Sequence, residues 1–204
     1  MSGEDHVEFY FDITSPYAYI AATQVDDVVA AAGRVVVWRP FLLGAVFQAT
    51  GNEMPARLPA KASWMRRDLE LQCQRLGLPF RFPDVFPLRS VGLLRALLAA
   101  EREAGQDAMR RLALGLYGAY WGQGRDVNDP TLFAEICAAA GLDPERMAAA
   151  NADPAMKQAL VTNTERAVKQ GAFGAPTFVV DGTLFWGHDR LPLLQWHIEQ
   201  SAER

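Results

Sequence analysis

The chain contains little cysteine. Cys73 and Cys137 are the two cysteines among its 204 residues, and each lies in a segment with a helical apolar pattern. They form neither a Cys-x-x-Cys motif nor the dense set of cysteines typical of disulfide-stabilised domains. We therefore expect both to be buried apolar residues. Enzymes that exchange disulfides through their own Cys-x-x-Cys pair are disfavoured.

Basic stripes and long apolar runs are also missing. The chain has 20 Lys and Arg against 24 Asp and Glu, a net charge of −4, which argues against nucleic acid or an anionic membrane as a partner. Its apolar runs stop well short of the ~20 residues that a membrane span requires. Residues 1–10 have neither the basic nor the apolar region of a secretory signal, so we expect a cytoplasmic protein.

Motifs for metals and bound phosphates are absent as well. The three histidines, His6, His188 and His197, have no zinc-ligand spacing with one another or with cysteine. There is no P-loop and no Gly-x-Ser-x-Gly elbow, and the glycines of "GAFGAP" precede a strand instead of following one. A metal site, a hydrolase of that type and a phosphate-bearing cofactor are therefore all disfavoured.

The first forty residues have a β-α-β pattern. Residues 7–12 alternate and are rich in aromatics, and residues 34–40 form a β-branched run that ends at Pro40. Between them, a helical apolar period runs from residue 17 to a glycine at residue 33. A crossover of this kind predicts that the two strands are parallel.

The middle of the chain has a helical pattern from about residue 43 to residue 165. Asp129 is placed to cap a helix that has Pro130 at its first position, and the Asp-Pro pairs at 143 and 153 predict the starts of two further short helices. No strand pattern interrupts this region. The longer helices are predicted at residues 57–77, 88–104, 106–121 and 130–140.

Strand character returns near the carboxyl end. Residues 175–187 read as two strands around Asp181-Gly182, a strong hairpin signal, and a closing helix follows with Asp189 as its expected cap. The order of elements predicts an α/β, thioredoxin-like fold with a large all-helical domain inserted after the N-terminal β-α-β unit. We place the thioredoxin-like parts at residues 1–42 and 166–204, and the helical domain at residues 43–165.

Two prolines mark candidate functional turns. Ser15 and Pro16 follow the first strand, where serine either caps the helix or offers a catalytic hydroxyl. Pro176 precedes "TFVV" at the place where a thioredoxin-like plan has a cis proline, although a trans proline that starts a strand is the alternative. A cis bond would turn the backbone of Ala175 outward, where it can pair with an extended peptide.

Four segments together resemble one enzyme family. "FDITSPYAY", "ATGN", "GAFGAPTFVVDG" and "FWGHDRL" are similar, in order and over nearly the whole chain, to 2-hydroxychromene-2-carboxylate isomerases, which belong to the DsbA-like branch of the thioredoxin fold beside the kappa-class glutathione transferases. The resemblance implies a glutathione-dependent isomerase. Its reaction would interconvert 2-hydroxychromene-2-carboxylate and trans-o-hydroxybenzylidenepyruvate-type compounds in aromatic, naphthalene-like catabolism. A homodimer is left open.

The resemblance also implies roles for particular residues. Four of these residues also have a simpler interpretation: Asn52 as a turn residue, Lys61 and Arg190 as solvated surface charges, and Asp189 as a helix cap. With glutathione as cofactor, the implied residues are Ser15, which holds its thiol; Asn52 and Lys61, which contact it; Ala175 with Pro176, which pairs with its cysteinyl backbone; and Asp189 and Arg190, which bind its γ-glutamyl end.

The substrate side of the site is less defined. The resemblance suggests Trp64 and Phe86 as pocket residues, although aromatic residues in helical regions are more often part of a core. The substrate is expected to be a small aromatic carboxylate, which needs a basic partner. Gln48 lies in a stretch where relatives often have a lysine, so the partner of the carboxylate stays open.

The chemistry that the resemblance implies agrees with what residues 15–18 lack. Thioredoxin-like oxidoreductases have their nucleophilic cysteine at this helix start, whereas "SPYA" has no sulfur. A glutathione thiolate would add reversibly to the conjugated substrate, let the former double bond rotate, and leave again. The alternatives are a kappa-like glutathione transferase or peroxidase that acts on another electrophile, and a catalytically inactive glutathione-binding module.

Overall fold

Four strands form one mixed sheet in the computed structural model, which describes residues 6–54 and 57–202. β1 and β2 are parallel, as the β-α-β pattern predicted, whereas β3 runs antiparallel to β1 and β4 antiparallel to β3. The strand order is β2-β1-β3-β4, so that β1 and β3 are central. The strands are β1 (His6–Phe11), β2 (Val35–Pro40), β3 (Thr177–Val180) and β4 (Thr183–Trp186).

Helices make up most of the remaining described residues. A π-helical turn, Gly118–Gly122, follows α5, and a 3₁₀ turn, His188–Arg190, precedes α9. The predicted thioredoxin-like fold, with helices inserted between the N-terminal β-α-β unit and the C-terminal strands, is confirmed. The helices are α1 (Pro16–Ala22), α2 (Val25–Ala31), α3 (Leu43–Thr50), α4 (Pro59–Leu76), α5 (Val91–Tyr117), α6 (Pro130–Ala139), α7 (Pro144–Ala149), α8 (Pro154–Lys169) and α9 (Leu191–Ala202). The backbone of α5 is not helical at Gly105, where φ is +82°, so α5 consists of two helical parts that meet between the predicted helices 88–104 and 106–121.

Three helices start as the Asp-Pro pairs predicted. The carboxylates of Asp129, Asp143 and Asp153 each accept a hydrogen bond from a backbone N–H in the first turn of α6, α7 and α8. The last of these helices has 16 residues and is longer than predicted. It continues through residue 165, and the division of the chain at residues 42 and 165 stays a prediction. Residues 1–5 and 203–204, which belong to the two outer segments, lie outside the described residues.

The first predicted helix is in fact two. Thr23 and Gln24 separate α1 from α2, and their side chains both donate to the carbonyl of Ile20, at 2.8 Å and 2.9 Å. In a continuous helix this carbonyl would accept a hydrogen bond from a backbone N–H. The two side-chain donors replace that bond, so the break has a small cost in free energy. The short helix α3 was not predicted as a separate helix; it ends at Thr50 and is followed by Gly51, which has φ +70°.

Strand β1 is buried on both of its faces. On one face Phe9 stacks on Phe178 at 5.3 Å and meets the edge of Trp38 at 5.0 Å, within a cluster that also includes residues of α1, α5 and α9. Tyr10 points to the other face, where Phe41 packs against its ring. Helices from the inserted region and from the thioredoxin-like part therefore pack against the same sheet and form one core with it.

A buried glutamate fixes the helix that leads to the loop before β3. Glu8 is paired with Arg39 at 3.2 Å and Arg166 at 2.7 Å, and it accepts a hydrogen bond from Gln170 at 2.7 Å. Burial by itself would raise the pKa of Glu8, but the Gln170 hydrogen bond and the two arginines hold that pKa below its usual value. Because Gln170 is the residue before the loop 171–176, this network sets where the loop begins.

Candidate functional site

Ser15 lies at the junction of the sheet and α1. Its Oγ accepts a hydrogen bond from the Ala18 N–H at 3.2 Å, which confirms the capping role, and Pro16 occupies the first position of the helix. The same hydroxyl donates to the carbonyl of Ala175 at 3.0 Å, although 160 positions separate the two residues. Ser15 is only 5% exposed. Capping and contact with the loop before β3 are therefore compatible, and the catalytic role of Ser15 stays a prediction.

The loop that faces Ser15 contains the expected cis proline. The Ala175–Pro176 peptide bond is cis, so the alternative of a trans proline at the start of the strand is wrong. Thr177 donates to the carbonyl of Gly174 at 2.8 Å, and the Gly187 N–H donates to the carbonyl of Pro176 at 3.0 Å, so both sides of the bond are held. The N–H of half-buried Ala175 has no acceptor among residues 6–54 and 57–202, and it can therefore donate to a ligand backbone.

Asn52 reaches the same loop from the end of α3. Its amide Nδ2 donates to the carbonyl of Phe173 at 2.8 Å, two residues before Ala175, while its Oδ1 accepts from the N–H of Glu53 at 2.8 Å. The second bond joins neighbouring residues, which is not the two-residue spacing of an Asx turn, so the turn interpretation of Asn52 stays open. The structure brings Asn52 to the loop, and contact with glutathione stays a prediction.

Lys61 and Trp64 lie on α4 and are both exposed, Trp64 by 65%. A core role for Trp64 is therefore wrong. Spacings of three and four residues place them on the same helix face as Asp68. Asp68 accepts a hydrogen bond from the Tyr17 hydroxyl at 2.8 Å, which directs this face toward the start of α1.

Phe86 is half-buried in an aromatic cluster. Its ring lies 5.2 Å from that of Phe82 and 6.0 Å from that of Trp121. The indole N–H of Trp121 donates to the carbonyl of Ile13 at 2.9 Å, two residues before Ser15. The core alternative for Phe86 therefore fits its packing, although the cluster to which it belongs supports the segment that carries Ser15.

Asp189 and Arg190 lie in the 3₁₀ turn after β4. The carboxylate of Asp189 is 3.4 Å from the guanidinium of Arg190, and both side chains are about half-exposed. The residue before α9 is Arg190, so Asp189 lies inside the turn and not at the cap position. Gly187 permits this arrangement: it has φ +109°, and a Cβ there would be 2.5 Å from Asp189 Oδ1.

Sequence reasoning missed a buried acid behind Ser15. The carboxyl group of Asp12 accepts hydrogen bonds from the N–H groups of Thr14 and Leu43, each at 3.0 Å. Its own carbonyl accepts from the Ser15 N–H at 2.9 Å. Burial raises the pKa of Asp12. The signal available in the sequence was an Asp two residues before Thr14, which is the spacing of an Asx turn.

A second missed group joins three segments beside the site. The Tyr17 ring stacks on the His188 ring with 5.2 Å between centroids and 12° between planes, while the Tyr17 hydroxyl bonds to Asp68. His188 is 9% exposed, and burial lowers its pKa; the charges of Asp189 and Asp68 oppose this effect, and that of Arg75 adds to it. Nothing in the sequence brings residues 17, 68 and 188 together.

The protein's own thiols are not suited to the chemistry at this site. Cys73 and Cys137 are free and buried, as predicted, and burial raises the pKa of each thiol to about 11. Both are therefore protonated near neutral pH. Within residues 6–54 and 57–202, no group of three or more His, Cys, Asp or Glu side chains is arranged to hold a metal ion. None of the helices in that part of the chain has the length and hydropathy of a membrane span.

Comparison with known proteins agrees with this architecture. Residues 6–199 match the family of the DSBA-like thioredoxin domain. Kappa 1 glutathione S-transferase of Caenorhabditis elegans is 31% identical over 95% of this chain and 91% of its own length. The 2-hydroxychromene-2-carboxylate isomerase of Sphingobium xenophagum is 29% identical over 94% of this chain and 97% of its own length.

A solved structure supports the fold. A selenomethionine crystal structure of 2-hydroxychromene-2-carboxylate isomerase superposes with a TM-score of 0.83, covering 97% of this chain and 96% of the other. Its sequence identity is 24%, so this likeness concerns the fold alone.

Substitution of Asp12 by Asn should destabilise the protein. Asn has a single acceptor oxygen, so one of the two backbone N–H groups at Thr14 and Leu43 would face an NH₂ group; we expect a loss of about 1–3 kcal/mol in the free energy of unfolding. Urea unfolding would measure it. Asp129→Asn is the matched control, because Asn caps a helix about as well as Asp. Equal stability of Asp12→Asn and wild type would contradict this role.

The stability of the protein should also depend on pH through His188. Because its folded-state pKa is lowered from about 6.5, the unfolded chain binds the proton more readily, and stability is lost as pH falls below 6.5. We expect His188→Phe to reduce the loss of unfolding free energy between pH 7.5 and pH 5.5. Thermal unfolding at the two pH values would measure the difference, and identical losses in variant and wild type would contradict the assignment.

Proposed function

The chain belongs to the DSBA-like thioredoxin domain family, and from this membership we propose that it is a glutathione-dependent cis–trans isomerase. The proposed substrates are 2-hydroxychromene-2-carboxylate and trans-o-hydroxybenzylidenepyruvate-type compounds, intermediates of aromatic catabolism. The observation that supports this most directly is the contact between the Ser15 hydroxyl and the Ala175 carbonyl, in a site whose helix start has no cysteine. A thiol from outside the chain would complete such a site.

The backbone of Ala175 fits a cysteinyl residue of glutathione. In the part of the chain that the structure describes, its N–H lacks an acceptor and its carbonyl is bound only by the Ser15 hydroxyl. A ligand N–H can replace the hydroxyl at that carbonyl, as in the pairing of strands. The Ser15 O–H would then turn toward the ligand sulfur while its oxygen keeps the bond from the Ala18 N–H. The exchange leaves no buried donor or acceptor unpaired.

The surrounding charges fit the two ends of the tripeptide. The γ-glutamyl end of glutathione has both an ammonium and a carboxylate group, and Asp189 beside Arg190 offers one partner for each. Lys61 is an exposed cation on the α4 face directed toward the start of α1, where it could meet the glycyl carboxylate. Asn52 already holds the loop on which the tripeptide would lie.

Bound glutathione would supply a thiolate that adds to the conjugated substrate and leaves after bond rotation. For its part, the chain stabilises negative charge on sulfur through the Ser15 hydroxyl and the positive end of α1. Trp64 offers an exposed aromatic surface beside Lys61, and Phe86 lines the aromatic cluster behind Ile13. We propose both as parts of the substrate pocket; Gln48, exposed on α3, leaves the partner of the substrate carboxylate open.

A kappa-like glutathione transferase or peroxidase is the second candidate. The Caenorhabditis elegans kappa transferase is about as similar to this chain as the Sphingobium isomerase, at 31% against 29% identity. The same thiolate site would serve either reaction, and the electrophile would decide between them. An inactive glutathione-binding module would bind the tripeptide without turnover.

The reaction product distinguishes these functions. Incubation of the protein with 2-hydroxychromene-2-carboxylate and reduced glutathione should produce the trans isomer, measured by liquid chromatography, with the total thiol unchanged by titration. A stable conjugate or oxidised glutathione would indicate the transferase or peroxidase instead. Binding without turnover would favour the inactive module, and the absence of binding heat in calorimetry would exclude every glutathione-based function.

Substitution of Ser15 by Ala should separate its two roles. Loss of a hydrogen bond to a charged sulfur should lower turnover about 10- to 100-fold and raise the pKa of the bound thiol, measured by thiolate absorbance. Loss of the cap should cost about 0.5–2 kcal/mol of unfolding free energy. Asp143→Ala, which removes the cap of α7, is the control for stability alone. Unchanged turnover with reduced stability in Ser15→Ala would mean that the serine is only a cap.

A further inference from the structure

The buried ring of His188 anchors the turn that carries Asp189 and Arg190. His188 is 9% exposed, whereas the side chains of its two neighbours are about half-exposed. Gly187 on the other side has φ +109° and lies against the Asp189 carboxylate. The position of the charged pair therefore depends on where the histidine ring is held.

That ring is held by a chain of contacts that ends on α4. Tyr17 stacks nearly parallel on His188, with 12° between the rings, and its hydroxyl donates to Asp68 at 2.8 Å. The ring is thus held by stacking, since His188 Nε2 is buried and has no hydrogen-bond partner among the described residues. Tyr17 is two residues from Ser15, so the same contacts tie the turn to the start of α1 and to α4.

We propose that Tyr17, Asp68 and His188 are positioning residues that set the Asp189–Arg190 pair to recognise the γ-glutamyl end of glutathione. This inference rests on the proposed function, because it takes glutathione as the ligand. The three residues act through the turn and not on the sulfur. They should therefore affect the affinity for a thiol peptide only when that peptide has a γ-glutamyl group.

Two probes separate this role from a general structural one. Reduced glutathione has the γ-glutamyl group, whereas the dipeptide Cys-Gly lacks it but keeps the thiol and the cysteinyl carbonyl, with an ammonium group in place of the amide N–H. Calorimetry on the full chain should show tighter binding of glutathione than of Cys-Gly. In His188→Ala, the affinity for glutathione should fall roughly 3- to 10-fold, while that for Cys-Gly stays unchanged.

Three further variants make the test specific. His188→Phe keeps a flat ring on Tyr17 and should retain most of the wild-type affinity for glutathione. Tyr17→Phe keeps the stack but loses the bond to Asp68, and should weaken glutathione binding by a smaller factor than His188→Ala. His197→Ala is the matched control, because the ring of this histidine of α9 packs against Phe185 of β4, and the variant should bind both probes as wild type does.

The outcomes that overturn the inference are distinct from those that overturn the function. An equal loss of both probes in His188→Ala, or no loss of either, would show that the ring has no role specific to the γ-glutamyl group. If His188→Ala fails to fold, Tyr17→Phe and His188→Phe carry the comparison. Equal affinity of the wild type for both probes would overturn this inference and leave the glutathione site in place, whereas binding of neither would overturn the proposed function itself.

Discussion

The carboxyl group of Asp12 is buried at the end of the central strand, where water cannot satisfy it. A group of this kind must be given donors by the protein, and here they come from its own turn and from the start of α3. The turn that contains Ser15 therefore cannot move independently of the inserted helices. Tyr117 and Trp121, which donate to the carbonyls of Asp12 and Ile13, strengthen the same attachment. The position of the Ser15 hydroxyl follows from these bonds.

The loop before β3 is fixed from three directions. Asn52 donates to one of its carbonyls, Ser15 donates to another, and the indole of Trp186 lies against Gly174, where a Cβ would be 2.4 Å from the indole nitrogen. Among residues 6–54 and 57–202, the N–H of Ala175 has no acceptor, and it lies beside a hydroxyl that is buried but can exchange its partner. A peptide ligand with its own thiol complements this arrangement because it supplies an acceptor, a donor and the sulfur. Pre-organised backbone groups of this kind favour binding because little conformational freedom is lost.

Isomerase and transferase differ in what they do with the same thiolate. Reversible addition returns glutathione, whereas addition to an electrophile that cannot expel the thiol gives a conjugate. In the proposed site, the residues around Ser15 and Ala175 would stabilise sulfur in both cases and would not choose between them. In this proposal the choice would depend on the electrophile-binding side, which we place at exposed Trp64 on α4 and at the aromatic cluster of Phe86.

Local sequence determined those parts of the structure in which the decisive contacts span only a few residues. The Asp-Pro starts of α6, α7 and α8 and the Asp181-Gly182 hairpin follow from capping and turn geometry, and the order of strands and helices was sufficient for the thioredoxin-like plan and the cis proline. Tertiary structure decided the rest. The break between α1 and α2, the burial of Asp12 and the meeting of Tyr17 with His188 depend on packing between distant segments. No period or spacing in the sequence indicates such contacts, because burial and long-range hydrogen bonds form only when distant segments pack together.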